Sequence, residues 1–140
     1  MNKIDVLIAY LFAIQAFSKD IHYSVKGEAF YSKHLLADEI YKGIDEQIDA
    51  LIETCILPLG QPKQIFYYWK FATKEVIPSL ALSRVRNEDL GSFKCLEEML
   101  KMVLNYINEL EIHSRAENSL VDSIAQDLQR KLGLITRQVE

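Results

Sequence analysis

The apolar residues of this 140-residue chain recur at intervals of three and four along almost its whole length. This period places them on one face of an α-helix, whereas a β-strand would need every second residue. Only 5 glycines and 3 prolines interrupt the pattern, so the helices are expected to be long. The sequence therefore predicts an all-α protein, with residues 1–140 forming a single domain around one sizeable core.

Glycine and proline positions divide the pattern into four long helices and one short helix. The long helices are predicted over residues 4–26, 32–57, 90–111 and 116–138. The short helix, over residues 64–76, lies between two prolines and is rich in aromatic residues. Such aromatic side chains could stack nucleobases, but packing within the protein is the favoured interpretation. The order of the helices predicts a four-helix bundle, with the short helix in the long crossover between helices two and three.

Composition argues against two classes of function. The net charge is -4 and neither end of the chain carries a basic arm, although binding to DNA phosphates requires clustered lysine and arginine. The apolar run over residues 6–17 is too short for a membrane span and is interpreted as part of the first helix. Two cysteines are too few for a disulfide scaffold, which favours a reducing, cytoplasmic location.

Five potential metal ligands form the clearest functional signal. They are His22, His34, Asp38, Asp49 and Glu53. The last four lie in the predicted second helix, at about 0°, 40°, 60° and 100° around its axis, whereas the apolar side chains of that helix centre near 300°. The ligand types thus form one polar stripe, distinct from the core face.

The spacing of this stripe predicts a dimer. Asp38 and Asp49 are separated by about 16 Å along a continuous helix, so one chain cannot close a single site with both. The positions are symmetric about a midpoint, since 34 and 53 have the same sum as 38 and 49. If two copies of the helix cross about a two-fold axis, His34 and Asp38 of one chain face Asp49 and Glu53 of the other. Two equivalent intersubunit sites would result.

Residues 21–60 resemble the signature stretch of the Dps family, the mini-ferritins also called DNA-binding proteins from starved cells. The family pattern has a His followed by an aromatic residue, a Lys-Gly turn, a Phe before a second His, an Asp four residues later, then Asp and Glu before Leu-Gly. The matching residues are His22, Tyr23, Lys26, Gly27, Phe30, His34, Asp38, Asp49, Glu53, Leu59 and Gly60. Tyr23 stands where the family usually has tryptophan. The resemblance implies a ferritin-like fold.

The resemblance also implies a function, which is the oxidation of Fe(II), with hydrogen peroxide as the usual oxidant, at sites shared between two subunits. His22 and His34 would supply nitrogen ligands, Asp38 and Glu53 the principal carboxylates, and Asp49 a weaker ligand. In this family, twelve subunits form a hollow shell that stores ferric mineral, which protects the cell from oxidative damage. The alternative is a non-catalytic helical dimer that holds a static metal ion such as zinc.

Overall fold

A computed structural model describes residues 2–27, 29–78 and 92–139. These ranges contain helices and connecting turns but no strand, which confirms the all-α prediction. The four-helix arrangement with a crossover helix stays a prediction, as does the start of the third helix at residue 90, which lies outside the described residues. The α-helices are α1 (Lys3–Ser24), α2 (Phe30–Tyr41), α3 (Ile44–Leu51), α4 (Ile65–Phe71), α5 (Phe93–Asn108) and α6 (Arg115–Val139).

Two of these helices continue in other helical forms. The π-helical segment Ile52–Ile56 extends α3 and is followed by a 3₁₀ turn over Leu57–Leu59. A second π-helical segment, Ala72–Val76, extends α4. Each π turn holds more residues than an α turn, so it rotates the side chains that follow it relative to a regular helix.

Helix α1 occupies the centre of the described structure. It begins with a capping box, in which the Asn2 side chain accepts a hydrogen bond from the Asp5 amide and the Asp5 side chain accepts one from the Asn2 amide. This arrangement satisfies two backbone groups that a helix start would otherwise leave unpaired. Thirteen residues of α1 are buried, and helices α2, α3, α4 and α5 all pack against it.

Helices α5 and α6 are amphipathic and pack against each other. Their buried residues follow the predicted spacing of three and four. In α6 these residues are Val121, Ile124, Leu128, Lys131 and Ile135. One of the five, a lysine, carries a charge, and it lies where α6 approaches helices α2 and α3.

The prediction of one continuous second helix over residues 32–57 is wrong. That region forms two helices, because the backbone leaves the helical conformation at Lys42 (φ -62°, ψ 132°) and Gly43 (φ 83°, ψ -9°). A positive φ is readily adopted only by glycine. The break separates His34 and Asp38, on α2, from Asp49, on α3, and from Glu53, on the π-helical segment. The single stripe inferred from helical angles is therefore divided into two parts.

A polar cluster around the buried Lys131 stabilises this break. The carbonyl of Lys42 accepts a hydrogen bond from Lys131 Nζ at 2.9 Å. Lys131 is fully buried, and it forms an ion pair of 2.9 Å with Asp127, which also accepts a hydrogen bond from Gln47 at 2.7 Å. Burial alone would raise the pKa of Asp127, but the contacts with Lys131, Gln47 and Arg130 outweigh it and hold the pKa below the usual value.

A buried carboxylate, that of Asp5, anchors α4 to the start of α1. Asp5 is fully buried; it pairs with Lys63 Nζ at 2.8 Å and accepts a hydrogen bond from the hydroxyl of Tyr68 at 2.8 Å. Burial would raise the pKa of Asp5. The contacts with these two partners and with the Asn2 amide lower the pKa by more than burial raises it, so it lies below the usual value. In the described part of the chain, no helix is both long and apolar enough to cross a membrane.

Replacing Lys131 with methionine should destabilise the protein. The change removes the ammonium group that binds both Asp127 and the carbonyl of Lys42, and losing hydrogen bonds to a charged group costs about 1–3 kcal/mol. Denaturant unfolding followed by circular dichroism measures this loss. The matched control is Arg137→Met, at an exposed position on the same helix, which should stay within about 0.5 kcal/mol of the wild type. Equal stability of the two variants would contradict the role of Lys131.

The ion pair of Asp5 should make stability depend on acid pH. Because the pKa of Asp5 is lowered on folding, its contribution is fully present above the unfolded pKa of about 3.9 and is lost as pH falls through the lower folded value. Asp5→Asn should reduce the stability at neutral pH by about 1–3 kcal/mol and flatten its decline below about pH 4. Denaturant unfolding curves measured from neutral pH to below pH 4 test this prediction. The control is Asp20→Asn, at an exposed position, which should lose stability below pH 4 as the wild type does.

Candidate metal centre

The hairpin between α1 and α2 brings the two predicted histidine ligands into contact. Helix α1 ends at Ser24, and Gly27, with a φ of 80°, allows the chain to reverse direction before α2 begins. His22 and His34 then lie opposite each other, with stacked rings whose centroids are 3.6 Å apart. The predicted pairing of these two residues, twelve positions apart, is therefore present within one chain.

Two reciprocal hydrogen bonds hold these rings. His22 Nδ1 lies 3.1 Å from the carbonyl oxygen of His34, and His34 Nδ1 lies 2.9 Å from the carbonyl oxygen of His22. A carbonyl can only accept, so each Nδ1 carries the proton and donates it. In a neutral imidazole the other nitrogen, Nε2, then carries the lone pair. A backbone carbonyl that orients the ring in this way is typical of histidine ligands to metals.

Three aromatic side chains lie close to the histidine pair. Tyr23 and Tyr41 each present a ring edge to His22 with centroids 5.5 Å apart, and Phe30 lies 5.3 Å from His34. Tyr23 is 75% exposed, so the pair lies beside a large aromatic surface that is open to solvent. Lys19 lies over the Tyr41 ring at 5.7 Å.

Asp38 lies one helical turn after His34 on α2 and is half-buried. The nearby Asp38 carboxylate disfavours ionisation of the Tyr41 phenol and, with burial, raises the pKa of Tyr41 to about 12. Tyr41 is a neighbour of the candidate site that the sequence interpretation did not include among its residues. The signal was available, because Tyr41 lies seven residues after His34 and so on the same helix face.

Asp49 and Glu53 are exposed and lie after the break that separates α2 from α3. Glu53 belongs to the π-helical segment that extends α3, and such segments occur frequently at functional sites. Within the described ranges of one chain, no group of three or more His, Cys, Asp or Glu side chains is arranged to hold a metal ion. One chain thus brings together His22 and His34, while Asp38 is half-buried near Tyr41 and the two remaining carboxylates are exposed.

Comparisons with known proteins add no assignment to this geometry. The chain matches no protein-family model, no curated protein and no solved structure.

Proposed function

We propose that this chain is a subunit of a cytoplasmic mini-ferritin that oxidises Fe(II), with hydrogen peroxide as the oxidant. The observation that carries the proposal is the pair of reciprocal hydrogen bonds between His22 and His34. They leave two lone-pair nitrogens, the Nε2 atoms, on adjacent rings, which is the state that a histidine needs to bind a metal. The resemblance of residues 21–60 to the Dps family supports the same conclusion.

The ligand types suit iron in both oxidation states. Imidazole nitrogen binds Fe(II) well, and carboxylate oxygen suits the harder Fe(III) that oxidation produces. We assign nitrogen ligands to His22 and His34, the principal carboxylates to Asp38 and Glu53, and a weaker contact to Asp49. Two Fe(II) ions each give one electron to hydrogen peroxide, whose O–O bond breaks to form two hydroxide ions. Consuming both reagents limits hydroxyl-radical formation and so protects the cell.

A second subunit would complete the site. Asp49 and Glu53 are exposed, so their carboxylates are accessible to another copy of the chain. A two-fold dimer would bring them to the His34 and Asp38 side chains of its mate and form two equivalent sites. By the same resemblance, six such dimers would form a twelve-subunit shell in which ferric product is stored.

Iron oxidation can be tested directly. Fe(II) is added anaerobically to purified protein, and a hydrogen peroxide pulse is followed by ferric absorbance while the mass of the assembly is measured. We expect rapid oxidation of roughly two irons per peroxide. His22→Ala and His34→Ala should lower the rate by at least about 10-fold. His113→Ala, in an exposed loop, is the control. Tight binding of zinc without peroxide consumption would instead favour the static-metal alternative.

Mixing two inactive variants tests whether the site is shared. His34→Ala and Glu53→Ala should each be inactive alone. In a mixed dimer of the two, one site loses both ligands and the other keeps all of them. Random refolding together should therefore restore about a quarter of the wild-type sites, since half of the dimers are mixed. Absence of any recovery, with mixed dimers shown by native mass spectrometry, would contradict an intersubunit site.

A further inference from the structure

Helix α6 contacts both α2 and α3, the two helices that the break at Lys42 and Gly43 separates. Before the break, Arg130 pairs with Glu39 at 3.1 Å. At the break, Lys131 donates a hydrogen bond to the carbonyl of Lys42 at 2.9 Å. After the break, Asp127 accepts a hydrogen bond from Gln47 at 2.7 Å. We name Asp127, Arg130 and Lys131 the α6 clamp. Because its members also bind one another, the clamp links α2 and α3 through one connected set of polar contacts.

The charge of Lys131 is costly at this position. The residue is fully buried, and removing an ammonium group from water is repaid only by good partners. An apolar side chain of similar length would fill the same space without that cost. The ammonium group adds a hydrogen bond of defined length and direction to the carbonyl of Lys42. Because of the break, this carbonyl lies outside the helical hydrogen-bond pattern. The cluster therefore specifies a geometry in addition to filling a volume.

That geometry bears directly on the candidate site. His34 and Asp38 precede the break, whereas Asp49 and Glu53 follow it. The angle between α2 and α3 therefore determines how far apart the two ligand pairs are held, and in a two-fold dimer it determines whether the pairs of two chains can meet. No member of the clamp belongs to the proposed ligand set, so the clamp can be altered without removing a ligand.

We propose that Asp127 and Lys131 are positioning residues, which hold the angle between α2 and α3 that the metal site requires. This inference rests on the proposed function. It assigns to the interior of α6 a role in metal-site geometry that acts through the backbone at Lys42 and the side chain of Gln47. Misplacing ligands by about 1 Å can lower a rate as much as 100-fold, so a modest change of this angle would be sufficient.

The test uses a double variant that separates geometry from stability. Lys131→Met alone removes the buried cation and leaves Asp127 with only Arg130 and Gln47 as partners. Lys131→Met combined with Asp127→Leu replaces the whole Lys131–Asp127 ion pair with apolar groups, which is often neutral for stability. We expect the double variant to recover most of the stability that the single variant loses. Both should nevertheless oxidise Fe(II) about 10- to 100-fold more slowly than the wild type. Arg137→Met is the control, with wild-type stability and rate.

Two further readouts report geometry rather than folding. Co(II), added alone as a probe, has an absorption spectrum that depends on its coordination, and we expect the double variant to change it. Nitroxide labels on Ser32→Cys and Glu46→Cys, at exposed positions of α2 and α3, report the distance across the break when labelled chains are diluted with unlabelled ones. We expect a shifted or broadened distance in the double variant. Lys131→Arg, which keeps a cationic donor, should return part of the wild-type signal.

The outcomes separate this inference from the proposed function. A folded double variant with the wild-type label distance, Co(II) spectrum and oxidation rate would show that the clamp serves stability only and would overturn the inference. If the wild type itself fails to oxidise iron, the proposed function fails, and the label distance still decides whether the clamp controls the angle. A changed distance without a changed oxidation rate would also overturn the positioning role.

Discussion

The burial of α1 is the constraint on which the rest of the structure depends. This helix has buried residues on most of its circumference, so it is stable only when other elements cover it. Four of the described helices do so. At about 33 Å in length, α1 also links distant features, since Asp5 lies at one end and His22 at the other. The position of the candidate metal ligand is therefore fixed by the core itself.

Polar side chains on buried surfaces then specify how the covering helices are oriented. Asp5 binds Lys63 and Tyr68 and so orients α4, while Gln15, near the middle of α1, donates a hydrogen bond to Asp45 of α3. Apolar packing tolerates small rotations and shifts, whereas a buried hydrogen bond requires a defined distance and direction. These contacts explain how a helical domain can hold exposed side chains at defined positions.

Much of the helical layout could be predicted from the sequence, because the apolar period is strong and the ends are marked by residues such as Gly27 and Pro58. The break at Gly43 was missed, since one glycine inside a regular apolar pattern is usually tolerated by a helix. Its stabilising partner, Lys131, is 88 residues further along the chain. The pairing of His22 with His34 followed from the resemblance, but the protonation of their Nδ1 atoms depends on backbone carbonyls that only the folded hairpin brings near.

The buried Cys55 has a consequence for the chemical durability of the protein. Burial, with a smaller contribution from Glu117, raises the pKa of its thiol to about 11. Very little of the thiol is then ionised at pH 7, and the thiolate is the form that attacks peroxide. In a protein that uses peroxide as a reagent, this would protect the sulfur of Cys55 from oxidation, although Cys55 lies only two residues after the proposed ligand Glu53. The same inertness makes cysteines introduced at the surface selective handles for chemical labelling.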